Sequence, residues 1–175
     1  PVLGGLLVGA VGCFVSTRIF GVGYETVEAA LHNRLPPLAA LVLGVTKIAA
    51  TSITLGSGGS GGIFAPALFI GATFGCAFGG LIHHIAPSVT AEPGAYAIVG
   101  MAALFSGAAH APLTSGLIVF EMTRDYRIIL PLFAAVAVAT IMGRYLLGGE
   151  SIYTLKISRR GIDLCLLYTS DAADD

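Results

Sequence analysis

The sequence predicts an all-α integral membrane protein built as a bundle of tilted and broken helices, and three observations carry that prediction. Of its 175 residues, 55% are hydrophobic and only 11% are charged, against roughly a quarter charged in soluble domains. The charges are also clustered: none falls in 48–91 or in 93–120, and each gap exceeds the roughly 20 apolar residues that cross a bilayer. Finally, 24 Gly and 8 Pro are too many for uninterrupted spanning helices. Helices cut by Gly and Pro are tolerated at membrane depth only where protein or a water-filled cavity satisfies the freed backbone groups, a pattern of transporters and channels. The net charge of −1 excludes a nucleic-acid binder held by excess Lys and Arg.

The elements follow in order. Residues 2–15 are apolar, with Gly5 and Gly9 four apart, and read as a membrane helix. The polar stretch 18–34, containing Tyr24, Glu25 and Glu28, reads as a short amphipathic helix at its edge. Pro36-Pro37 opens an apolar run to Gly56. Pro is accommodated in a first helical turn, and a run of that length spans about 30 Å. Lys47 falls in mid-segment, so it must snorkel, pair, or face protein or water. A second long helix follows the glycine-rich stretch 56–62, and its Gly71, Gly75 and Gly79 form a stripe that admits a neighbouring helix backbone. Packing within one subunit is the expected use of that stripe. Pro87 and Pro93 bracket a polar connection. Residues 96–109 read as a short helix interrupted near Ser106-Gly107, and 112–123 as a helix too short to span alone. After a polar cluster at 121–127, residues 128–145 form another apolar helix, and the last element, 148–161, is polar and basic.

The junction Gly56-Ser-Gly-Gly-Ser-Gly-Gly-Ile-Phe-Ala-Pro66 is the most informative stretch. It satisfies G-x-G-x-x-G literally, but a membrane-length segment precedes it and no acidic ribose ligand follows about 20 residues on. A phosphate-binding loop fails as well, for want of a closing Gly-Lys-Ser/Thr. As a membrane element, the small residues let the backbone turn sharply, and Ile63-Phe64-Ala65 starts a helix with Pro66 in its first turn. The first N–H groups of a helix lack internal partners and lie at the positive end of its dipole, forming an anion site without Lys or Arg. Neutral donors suit a permeating ion, which a fixed full charge would hold too tightly. A helix-to-helix turn without any ligand is the competing reading of this segment.

Other residues receive plainer readings. Cys13 and Cys76 lie in apolar stretches and suggest neither a disulfide nor a metal site. Consecutive helical positions point about 100° apart, so His83 and His84 cannot aim at one metal ion, and no metal site is expected. His110 reads as a loop or helix-entry residue, and Glu121 as capping its helix or pairing with Arg124. The chain opens on Pro1 with no leader pattern and reads as a cut edge. Residues 165–175, CLLYTSDAADD, follow no periodicity and read as a non-native, adapter-derived tail. Without its three Asp, nine Lys and Arg face seven Asp and Glu, a net of +2.

These stretches together resemble the CLC family of chloride channels and chloride/proton antiporters. GGIFAP, residues 61–66, matches that family's G-x-F-x-P anion motif through Gly62, Phe64 and Pro66, with Gly61 just before it. AIVGMAALFSGAAHAPLT (97–114), VFEMT (119–123) and SIYTL (151–155) follow in the family's order. The resemblance covers 1–164 and implies the C-terminal half of a CLC-like membrane domain, one half of an inverted-repeat architecture. It implies chloride held by the backbone N–H groups of Ile63 and Phe64 and by the Tyr153 hydroxyl. It also implies a multi-pass protein of a lipid bilayer, the inner membrane of a prokaryote, that forms a homodimer through helices matching 112–123 and 129–145. No cofactor and no covalent catalysis are implied. Lys156, Arg159 and Arg160 fit a cytoplasmic exit. The family's serine-containing motif, gating glutamate and proton-relay glutamate belong to the other half and cannot be located here, so channel and antiporter are not distinguished. A carrier of another small anion, fluoride or nitrate, and a noncatalytic membrane scaffold are the rival readings.

Overall fold

A computed structural model describes residues 2–59 and 61–158, and the described residues form eight α-helices and two short 3-10 turns. The helices are α1 (Val2–Phe14), α2 (Tyr24–Leu31), α3 (Pro37–Gly56), α4 (Phe64–Ile85), α5 (Pro93–Ala109), α6 (Pro112–Thr123), α7 (Ile129–Leu146) and α8 (Ile152–Ser158). The 3-10 turns, Thr17–Ile19 and Tyr126–Ile128, precede α2 and α7. Segments Pro37–Gly56, Phe64–Ile85 and Tyr126–Leu146 are long and apolar enough to cross a membrane. The expected tail, 165–175, lies outside the described residues, as do Arg159 and Arg160.

Proline sets three of the eight helix starts. Pro37, Pro93 and Pro112 each occupy the first turn of their helix, where the missing N–H would have had no intrahelical partner. The chain reaches α2 through Gly21 and Gly23, both at positive φ. Helix α5 has a further device at its start. Asn33, itself at φ 58, accepts the Gly94 N–H on Oδ1 at 2.6 Å and donates from Nδ2 to Glu92 at 2.7 Å. A side chain from after α2 thus caps α5, tying two elements about sixty residues apart.

Helix α4 is the centre of the bundle, packed on α5, α3 and α2. Its glycine stripe serves the intrachain role expected of it. A methyl group on Gly71 would meet the Gly100 carbonyl, one on Gly75 the Tyr96 carbonyl, and one on Gly79 the Tyr96 side chain at 2.7 Å. The two backbones can approach this closely because α4 carries no side chain at these positions and α5 none at Gly100, and dispersion over the seam stabilises it. Ala97 and Met101 of α5 are fully buried at this seam, while Phe69 and Cys76, also without exposure, face Lys47 and the Leu35 carbonyl on the other side of α4.

Helix α5 runs unbroken through Ser106-Gly107, which corrects the expected interruption. Those two residues pack rather than break. Gly107 faces the α7 backbone at Ala139, Gly143 faces Gly107 in return, and Ser106 Oγ lies 2.6 Å from Thr140 Oγ1 across the same interface. Small residues at a helix crossing thus carry two meanings that composition does not separate. Two of the helices end on αL residues. His110 caps α5 at φ 56, and Arg124 caps α6 at φ 52 with its N–H on the Phe120 carbonyl at 2.7 Å. The end of α6 is therefore closed by Arg124's backbone, while the Glu121 side chain is exposed.

Candidate anion site at the start of helix α4

The start of α4 differs from that of α3, α5 and α6 in where its proline falls. Ile63 is the N-cap, with φ −96 and ψ −22, and its side chain offers no capping acceptor. Phe64 is the first helical residue, and Pro66 comes third. The first backbone bond of the helix runs from Ala67 N–H to the Ile63 carbonyl at 3.1 Å. With Pro66 carrying no N–H, the donors that helix geometry leaves unpaired at this end are those of Ile63, Phe64 and Ala65. Phe64 is fixed by an edge-on contact with Phe105 of α5, with ring centroids 4.9 Å apart, so α5 holds the α4 start in place.

Gly61 and Gly62 are exposed and, with Ala65 and Pro66, line a cavity of about 440 Å³ bounded by α1, the turn before α2, and α3. Helix α3 contributes Lys47, Thr51 and Thr54 to its wall. Their spacing of four and three residues puts them on one helical face, a polar stripe the sequence already contained. Lys47 is only 4% exposed. Its ammonium donates to the Ile19 and Gly21 carbonyls, each at 2.7 Å, and lies 4.8 Å from the centre of the Phe69 ring. Of the possibilities open at mid-helix, it faces protein.

Gly61, Gly62 and Pro66 line this cavity, whereas Ile63 and Phe64, between them in the chain, are not among its lining residues. Tyr153 is not among the cavity's lining residues. It stands half-exposed on α8, a short helix that touches α5, so α5 is the element both parts of the proposed constellation share. Ser151 caps α8, accepting the Thr154 N–H at 3.2 Å, while Thr154 Oγ1 accepts the Ser151 N–H at 2.8 Å. This reciprocal pair holds the turn from which Tyr153 projects. It resembles a capping box closed by threonine.

The histidines do not assemble a site. Thr90 donates its hydroxyl proton to the Ala86 carbonyl at 2.8 Å, so His83 Nδ1, 3.1 Å from Thr90 Oγ1, is the donor there. His84 is exposed. His110 Nε2 is buried without a partner among the described residues. No cluster of three or more metal-ligating side chains occurs among the described residues. Cys13 is exposed and Cys76 buried.

Apolar, membrane-length helices packed around a bare, glycine-preceded helix start define an integral membrane protein. The sequence profile of the voltage gated chloride channel family matches residues 1–144, and the chain belongs to that family. It is 41% identical over 162 residues to a putative chloride channel protein ClcB-like of Ralstonia nicotianae, covering 92% of this chain and 37% of that protein. It is 45% identical over 119 residues to the H(+)/Cl(-) exchange transporter ClcA of Vibrio campbellii, covering 68% of this chain and 25% of that one. Chloride channel protein CLC-f of Arabidopsis thaliana is 41% identical over 150 residues, covering 79% of this chain and 19% of its own length. The crystal structure of a slow cyanobacterial Cl−/H+ antiporter superimposes with a TM-score of 0.69 at 36% identity, covering 77% of this chain and 32% of that one. The chain therefore spans between a fifth and two fifths of the lengths of these proteins.

Proposed function

We propose that this chain supplies one half of a selective chloride pathway, working as a channel or with proton counter-transport, in which the Ile63 and Phe64 N–H groups and the Tyr153 hydroxyl take over part of the anion's hydration shell. One observation carries the reading: α4 begins without a side-chain cap, behind two exposed glycines and ahead of a third-position proline, and its opening borders a cavity. Backbone donors at a helix start are fixed and neutral, so they need no reorganisation to receive an anion and do not trap it. Membership of the voltage gated chloride channel family and the chloride-exchanging relatives support the same reading.

The homodimer belongs to the proposal too. Leu113 and Leu117 on α6, with Val138, Ile141 and Tyr145 on α7, are exposed large apolar residues that a second copy and the surrounding lipid would cover. The cell inner membrane is the proposed location. Chloride is the proposed ligand, with no resident cofactor and no covalent chemistry.

The test is flux from liposomes containing the full-length protein. Chloride should permeate, and Ile63→Pro should lower its apparent affinity about tenfold or more, as expected for one hydrogen bond to a charged partner. Gly62 before it tolerates the backbone restriction that proline imposes. If chloride neither permeates nor competes, while fluoride or nitrate passes, the site carries another anion. If no anion passes, the scaffold reading stands.

A further inference from the structure

Lys47 is unusual in three respects that the proposed pathway does not use. It sits in mid-helix on a membrane-length segment, it is almost wholly buried, and its wall of the cavity faces the glycines that precede α4. A lysine in that position costs several kcal/mol unless its charge is compensated. Here the partners are dipoles: two carbonyls and an aromatic face. Among the described residues, the cavity lining holds no Asp or Glu, and Lys47 is the only charged residue in it. Carbonyl contacts satisfy two of the ammonium's three N–H donors but leave its unit charge in place.

We propose that Lys47 is an electrostatic positioning residue of the anion path: its buried, carbonyl-clamped charge makes the cavity beside the α4 start favourable to a small monovalent anion without ligating that anion. The clamp explains how a full charge can serve a pathway without trapping the ion. With two of its three N–H bonds spent on Ile19 and Gly21, the ammonium is held against the turn before α2 and acts through space, where its attraction falls only inversely with distance. The same clamp ties α3 to that turn, so one side chain shapes the cavity and sets its potential. The inference rests on the chloride reading proposed above and adds to it a residue outside the G-x-F-x-P motif.

The test compares three substitutions in the full-length protein, with chloride affinity read by calorimetry and folding by size-exclusion chromatography. Lys47→Arg keeps charge and donors, Lys47→Gln keeps donors alone, and Lys47→Met keeps neither. Chloride Kd should be near wild type in Arg and raised roughly threefold to thirtyfold in both Gln and Met, the range a unit charge produces across a partly hydrated cavity. Because Gln retains donors, a purely structural clamp predicts instead that Gln matches wild type, and that result would overturn the proposal. Aggregation of both neutral variants would overturn it as well, in favour of a structural role. Wild-type protein that binds no chloride sinks the pathway reading itself, whereas wild-type binding with an unchanged Gln variant sinks only the role of Lys47.

Discussion

Gly75→Ala is the sharpest test of how this bundle is held together. The added methyl would meet the Tyr96 carbonyl oxygen and lie 2.9 Å from the Cα of Ala97. Carbon atoms prefer about 3.5–4.0 Å, so α4 and α5 must part by about 0.6–1.1 Å to accept it. The obstacle is backbone, which cannot swing aside as a side-chain tip would. Overpacking of this kind costs about 1–3 kcal/mol, and the separation also loosens contacts at Gly71 and Gly79 along the same seam. Gly9 on α1 is the control, because nothing lies within 4 Å of a methyl placed there. Gly9→Ala should stabilise by about 0.5–1 kcal/mol through helix propensity. Unfolding of both variants in mixed micelles with increasing SDS, followed by circular dichroism, reads the two effects. Opposite signs are expected. A Gly75→Ala protein as stable as wild type would refute the argument that the α4–α5 seam requires backbone contact at the glycine stripe.

Three further outcomes follow from the geometry. Asn33→Ala should destabilise by about 1–2 kcal/mol by uncapping Gly94 at the α5 start, with faster amide exchange confined to the first turn of α5; uniform exchange changes would contradict the local cap. Thr140→Val should cost about 0.5–1.5 kcal/mol by leaving Ser106 its long contact to the Val136 carbonyl alone, and a Ser106→Ala, Thr140→Val double variant should lose little more than either single one. Additive losses would show that the two hydroxyls act independently. Tyr153→Phe should weaken chloride binding severalfold with unchanged thermal stability, since the half-exposed phenol forms no hydrogen bond within the described residues; unchanged affinity by calorimetry would remove Tyr153 from the site.

Helix placement was legible because Pro and Gly act locally. Pro37 and Pro112 marked helix starts through a missing donor, and that rule needs no tertiary information; Pro93, read as closing a polar connection, instead opens α5 three residues before the expected start at 96. The membrane class was equally legible from where charge is absent. The Gly71, Gly75 and Gly79 stripe was readable as a packing face, but its partner on α5 was not, because a stripe of hydrogens says only that something approaches closely. Ser106-Gly107 misled for the same reason: the pair that looks like a break is the contact with Gly143 and Thr140 of α7. The α4 start could be found from its glycines and Pro66, since orphan N–H groups are a property of any helix end. Lys47 was conspicuous, yet its partners are the carbonyls of Ile19 and Gly21, and backbone acceptors leave no trace in residue identity. Asn33 drew no notice at all, because its cap reaches across to Glu92 and Gly94.

The central claim is that the Ile63 and Phe64 N–H groups hold an anion, and bromide soaked into crystals of the full-length protein tests it most directly through anomalous scattering. A bromide peak is expected within hydrogen-bonding reach of those two nitrogens, diminished in Ile63→Pro. An empty α4 start in concentrated bromide, with ordered halide elsewhere in the same crystal, would contradict it.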